Sequence, residues 1–289
     1  MVSVVALAVG GCATGSGDQE SAAPAAPATP PAPSADAAEG VQAAAQPAAP
    51  TSQGSTLNTG LAPTSPSPTG PSPANGRAIQ AGPARFLQRG PATSGAVALT
   101  FHTNGDPALA TALLDRLAAR RTAITAFVVG NWLSEHPDLG HRMLRDGHEL
   151  ANHSWSHPTM SGLDRQTIAD EIQAGAAALA PFLGGPGRWF RPSGMEIASP
   201  EVLLEAGLAG YQTVVGYSVD SLDFTDPGAA MVRRNVSEAV GGGDIVSLHF
   251  GHPDTLAALD GMLDDLTARG LRPVTVSALL GQPSAATRG

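Results

Sequence analysis

From Gly95 to about Gly281 the chain alternates short apolar runs with longer segments whose apolar residues recur at helical spacing. "AVALTF" (96–101) and "AITAFVV" (123–129) are continuous, short and rich in β-formers, which predicts buried strands. "DPALATALLDRLAARR" (106–121) opens on Asp–Pro and puts Leu109, Leu113 and Leu117 on one face, which predicts a helix. The alternation continues with a helix in "HPDLGHRMLRDGH" (136–148) and a strand in "HELANHSW" (148–155). A long helix over 164–183 takes Asp164 as its N-cap, and "RWFRPSG" (188–194) reads as the fourth strand. Further helices fall at 199–207, 228–240 and 254–270, and further strands at 211–220, 244–250 and 272–280. Seven strand–helix units with strands apolar throughout imply a parallel sheet covered by helices. A doubly wound sheet and a closed barrel both satisfy that pattern. The polar positions separate them: His102, His153, Arg191, Asp220 and His249 each stand at or just after the C-terminal end of a different strand. A site collected from many strand ends is the mark of a barrel. The expected fold is therefore α/β, a distorted (β/α)7 barrel.

Composition sets the barrel's boundaries. Residues 13–93 are dominated by Ala, Pro, Ser, Thr and Gly, and between Ser21 and Asn75 the only charges are Asp36 and Glu39. Such a stretch buries too little apolar surface to offset the entropy of ordering it, so a disordered linker is expected ahead of a domain spanning 95–281. The chain has a net charge of −9 and no lysine, which makes nucleic acid an improbable partner. A single cysteine, Cys12, excludes an intramolecular disulfide. It closes "MVSVVALAVGGC" (1–12), which resembles a bacterial lipoprotein signal, with Cys12 as the lipidated residue. The apolar run is too short to span a bilayer. The expectation is a lipoprotein of a bacterial cell envelope, touching the membrane only through that anchor, and a monomer.

"NHSWSHP" (152–158) places His153 and His157 four apart. On a helix, HExxH would give a zinc protease, but Ser154 occupies the place of the general base and Pro158 follows at once. Taken alone, the pair fits either metal ligands or surface histidines. The other strand ends decide the matter. "AVALTF", "ITAFVVGNWL", "GHELANHSWSHP", "RWFRPSG", "YSVDSLDF" and "DIVSLHFGH" follow one another in the order of the polysaccharide deacetylases, and the chain resembles that family, the NodB-homology type or carbohydrate esterase family 4, over 95–281. The resemblance implies that His153 and His157 bind a divalent metal, zinc first, with cobalt or another divalent ion as alternatives. It also implies that Arg191 orients the catalytic carboxylate, that Asp223 or Asp220 supports the acid–base partners, and that His249 is the general acid. The implied substrate is an acetylated polysaccharide.

The first motif departs from the family. Where the family reads TFDDGP, with a base and a third metal ligand, this chain reads "TFHTNGDP" (100–107). His102 and Thr103, or Thr103 and Asn104, take the two aspartate places. Asp106 is open to two readings, helix N-cap or third metal ligand. His102 is likewise open, as a base or as a third nitrogen ligand. In the third motif, Ser193 and Gly194 replace the usual Pro–aromatic–Gly step. The expected activity is removal of acetyl groups, N-acetyl first, from an envelope or extracellular glycan. A catalytically impaired glycan-binding lipoprotein on the same barrel is one alternative, and a hydrolase of another acyl or amide substrate is a second.

Overall fold

The computed structural model describes residues 82–282. Its chain begins with β1 (Arg85–Leu87) and β2 (Ala96–Thr103), then α1 (Pro107–Ala119), β3 (Thr125–Val128), α2 (Gly130–Glu135), α3 (Pro137–Arg145) and β4 (Glu149–Asn152). There follow α4 (Arg165–Leu183), α5 (Pro200–Leu208), β5 (Thr213–Val215), β6 (Val219–Asp220), α6 (Ala229–Ala239), β7 (Ile245–His249), α7 (Pro253–Ala268), β8 (Arg272–Val274) and α8 (Val276–Leu279).

All eight residues of β2 are buried, and the strand is paired on both edges. One edge carries β8 at Ala96–Ala98 and β3 at Thr100–Thr103, and the other carries β7 at Ala98–His102. β4 pairs with β3, β6 with β7 and β1 with β5, all in parallel. Phe190 closes the gap between the two groups of strands, bridging Asn152 of β4 and Val214 of β5. This is the barrel expected from the polar strand ends, distorted where a single bridging residue stands for a full strand. The main core lies between the strands and their helices. Leu99, Phe101, Leu113, Leu117 and Leu248 are fully buried there, while Leu109 at the start of α1 is half-buried.

Several expected boundaries move. Folded structure is already present ahead of Gly95: Ala84 is buried, β1 pairs with β5, and Arg89 bridges Asp244. The last part of the expected 13–93 linker therefore belongs to the domain. The rest of that linker and Cys12 lie outside the described residues. The fourth strand shrinks to Phe190. The seventh stops at Val274, where Thr275 caps α8 by accepting from the Ala278 amide. α2 is an added turn between β3 and α3.

Candidate active site

β2 and β7 run in register, so His102 stands beside His249, with ring centroids 4.4 Å apart. β4 ends one residue before His153, whose ring lies edge-on to His102 at 4.4 Å. The loop that follows turns back at Ser154 (φ 68°) and His157 (φ 61°) and brings the His157 ring to 4.9 Å from that of His153. One ring nitrogen from each of His102, His153 and His157 falls within 4.8 Å of the others. His153 and His157, the pair predicted from "NHSWSHP", are thus brought together. His102 joins them from the altered first motif.

Hydrogen bonds assign the tautomers of this group. His153 Nδ1 donates to the Arg191 carbonyl at 2.9 Å, which leaves Nε2 with its lone pair. That Nε2 is buried and has no partner among the described residues. A buried polar atom is almost always paired, so a ligand-ready nitrogen with nothing to bind, beside two further imidazoles, fits a metal ion. Burial, and then the neighbouring histidines, hold the pKa values of His102 and His153 well below the ordinary histidine value; burial followed by His249 lowers His157. All three are neutral at pH 7, the form that ligation requires.

Arg191 lies under His102. Its Nη1 donates to His102 Nε2 at 3.0 Å and to Thr100 Oγ1 at 2.9 Å; Nε and Nη2 donate to the Val215 and Gly216 carbonyls at 3.0 and 2.9 Å. The guanidinium stacks on Phe127 at 4.0 Å. Among the described residues no carboxylate bonds to it, and burial pushes its pKa down to about 9. The group that Arg191 orients in this chain is therefore an imidazole. Ser247 Oγ stands a further 3.3 Å from the same Nε2. The lone pair that His102 would need as a base or as a metal ligand at Nε2 is thus taken up by donors, and its ring proton resides on Nδ1.

On the other side of His102, Asp223 is fully buried in a 3-10 turn and holds His249 at two points. It accepts from His249 Nδ1 and from the His249 amide, each at 2.7 Å, and Thr255 Oγ1 adds a third bond at 2.6 Å. Burial pushes the Asp223 carboxyl up, but the bonds and charge of His249, with the bond from Thr255, outweigh it and keep its pKa below the usual carboxylate value. His249 Nε2 is left as the ring atom free to exchange a proton.

Two expected site residues do not join this group. Asp106 is exposed and caps α1, accepting from the Ala108 amide at 2.8 Å; with Pro107 fixing the helix start, its carboxylate points along α1 and is not among the clustered ligand atoms. Asp220 accepts from the Leu222 amide at 3.0 Å, shaping its own turn, and burial raises its pKa; Asp223, three residues on, is the partner of His249. Thr255 and Ser247 were not anticipated. A threonine in the first turn of a helix and a serine inside an apolar strand carry no local signal of their partners.

A sequence profile of polysaccharide deacetylases matches residues 89–214. The chain is 34% identical to a peptidoglycan-N-acetylglucosamine deacetylase of Bacillus cereus, an alignment covering 64% of this chain and 87% of that protein. It is 32% identical to a chitooligosaccharide deacetylase of a Bradyrhizobium species, over 61% of this chain and 80% of that one. Among solved structures, a pseudoenzyme of carbohydrate esterase family 4 from Bacillus anthracis superposes with a TM-score of 0.63 at 25% identity, covering 68% of each chain. The motifs in order, the parallel barrel and relatives matched over most of their length agree: this chain belongs to the polysaccharide deacetylase family, carbohydrate esterase family 4.

Proposed function

We propose that the chain is a metal-dependent deacetylase that removes acetyl groups, N-acetyl first, from a polysaccharide of the bacterial cell envelope. The observation that carries the reading is the unpartnered, buried Nε2 of His153, set in a cluster of neutral imidazoles beside the Asp223–His249 dyad. His153 and His157 would hold a divalent ion, with zinc favoured by the all-nitrogen donor set. Bound there, the ion supplies Lewis-acid polarisation of the acetyl carbonyl and activation of water.

The chain's own residues supply the proton traffic. Asp223 fixes His249 with its Nδ1 proton inward, so Nε2 accepts a proton from the attacking water and returns it to the departing sugar nitrogen. His102, with Arg191 donating into Nε2, is a neutral donor at Nδ1 and does not serve as the base that its position in the first motif suggested. Arg191 keeps that ring in place. Relatives that act on peptidoglycan and chitooligosaccharides support an acetylated aminosugar polymer as substrate. Anchoring through Cys12 at the envelope completes the proposal.

A second reading has its own support. No carboxylate joins the histidine cluster among the described residues, and a structural neighbour is a pseudoenzyme, so the barrel can equally serve as a glycan binder without turnover. The deciding experiment measures acetate release from peptidoglycan fragments and chitooligosaccharides by chelated, zinc-loaded and cobalt-loaded protein, with His153→Ala alongside. Metal-dependent release that His153→Ala abolishes is the expected result. One metal per chain and glycan affinity with no release from any substrate would make the binder the correct reading.

A further inference from the structure

The loop that carries His157 is an improbable piece of backbone. Two of its four residues from Ser154 to His157 adopt left-handed φ values, 68° and 61°, and neither is glycine. Such a conformation persists only where its surroundings over-determine it. Within the loop, the His157 amide donates to Ser154 Oγ at 3.2 Å, and the Ser154 amide to Asn152 Oδ1 at 2.9 Å. These ties are local; beyond them the Gly130 and Asn131 amides of α2 donate to the Ser154 and Trp155 carbonyls, each at 2.9 Å, and Ser154 Oγ lies 3.1 Å from Ser193 Oγ, which leaves Ser156 without a tie on that side.

A second anchor is α4, which reaches Ser156 as well. Glu171 Oε2 accepts the amides of both Trp155 and Ser156 at 2.9 Å, and Oε1 accepts Ser156 Oγ at 2.6 Å. One carboxylate therefore gathers three donors from the two residues that precede His157. One turn further along the same face is Gly175, where an added Cβ would collide with Asn152 Oδ1 and stand 2.8 Å from the Ser154 carbonyl. The helix thus offers a notch for the loop's first half and a charged clasp for its second. Glu171 makes no other hydrogen bond and no salt bridge with Arg or Lys among the described residues, so this clasp is what its carboxylate does.

We propose that Glu171 is a positioning residue for the metal site: by clasping the Trp155 and Ser156 amides it holds His157 in register with His153. The inference rests on the metal-binding reading above. Groups behind the ligands that orient them commonly change metal affinity by about 10- to 100-fold when removed.

The test uses the full chain and zinc alone, with affinity read by competition against a chromophoric chelator and the site geometry read from the visible spectrum of the cobalt form. Glu171→Ala is expected to weaken zinc binding by about 10- to 100-fold and to alter the cobalt spectrum. Glu171→Gln, whose amide oxygen still accepts both backbone donors, is expected to restore most of the affinity. Glu205→Ala, which breaks the Arg165–Glu205 pair at the start of α4 without touching the loop, serves as the control for a general loosening of that helix. Unchanged zinc affinity in Glu171→Ala would overturn the proposal. So would equal weakening in Glu205→Ala, or no recovery in Glu171→Gln. If the wild-type chain itself bound no zinc, the metal-binding reading would fall and this one with it, an outcome distinct from a wild type that binds and a variant that binds equally well.

Discussion

Asp223 does its work through three hydrogen bonds. As a carboxylate it can only accept, and three donors converge on it: the His249 ring, the His249 amide and Thr255. Asn at this position would keep the volume but turn an NH2 group toward one of those donors. The His249 ring would then lose its reason to keep the proton on Nδ1, and Nε2 would no longer be the free base. Asp223→Asn is expected to cut the rate of acetate release by at least about 100-fold while leaving zinc stoichiometry unchanged, since the aspartate is remote from the His153 and His157 nitrogens in the bonding network. Steady-state kinetics on the zinc-loaded variant, with metal content determined on the same sample, make the comparison. The sequence supplied His249 and two candidate aspartates, 220 and 223. It could not choose between them, because the choice is made by a 3-10 turn that buries one and leaves the other at its own backbone. Position 102 has a similar history. "TFHTNGDP" displays the missing aspartates, but that Arg191 donates into the replacing imidazole follows only from where Thr100 and Phe127 seat the guanidinium.

Among the elements, the end of the barrel opposite the site is tied by one buried carboxylate. Glu149, the first residue of β4, accepts from Thr125 Oγ1 of β3 at 2.8 Å, from Trp189 Nε1 at 2.9 Å and from the Ser277 amide of α8 at 3.1 Å, and it also takes the Ser277 hydroxyl. Four donors are spent on one acceptor group, and removing it would leave most of them buried and unpaired, Trp189 Nε1 keeping only its 3.2 Å bond to Ser277 Oγ. Glu149→Ala is expected to destabilise the fold by about 3 kcal/mol or more, with Glu149→Gln costing less because its oxygen still serves part of the set. The measurement is the shift in urea midpoint, and zinc affinity in native buffer is expected to stay at the wild-type value. This knot also shows why some elements were legible and others were not. β2, β3 and β7 announce themselves as apolar runs, and α1 and α4 as periodic ones with capping residues at their starts. Nothing in "RWFRPSG" shows that only Phe190 will pair, or that Trp189 turns its indole to a glutamate from another strand. "VTVSALL" (274–280) reads as strand from its β-branched start, yet Thr275 offers a cap three residues before Ala278 and the backbone takes it. β1 lies in a stretch whose composition resembles the linker, and only the partner edge of β5 makes it a strand.

For the molecule as a whole, the common feature of its buried histidines is that they are neutral. His102 and His153 are kept so at the site. His148, just before the start of β4, is also buried: its Nδ1 accepts from the Ile124 amide at 3.3 Å, and among the described residues its Nε2 has no partner. Burial lowers its pKa to about 4, with Asp146 opposing and Arg142 reinforcing the shift. Protonation is therefore easier in the unfolded chain. Between the ordinary histidine value near 6.5 and about 4, the unfolded state binds a proton that the folded state does not, so stability rises with pH across that window. Its full contribution is present above 6.5 and is lost as pH falls through the folded value. For His148 alone the window is worth about 3 kcal/mol. His148→Asn, whose Oδ1 can still receive the Ile124 amide, is expected to flatten the dependence of unfolding free energy on pH between 6.5 and 4.5 by about 1.4 kcal/mol per pH unit. Urea unfolding of the chelated protein at several pH values measures this without interference from metal release. A variant as acid-sensitive as the wild type would mean that the site histidines alone carry the effect. A flatter curve would place part of the barrel's acid lability in a residue with no role in its chemistry.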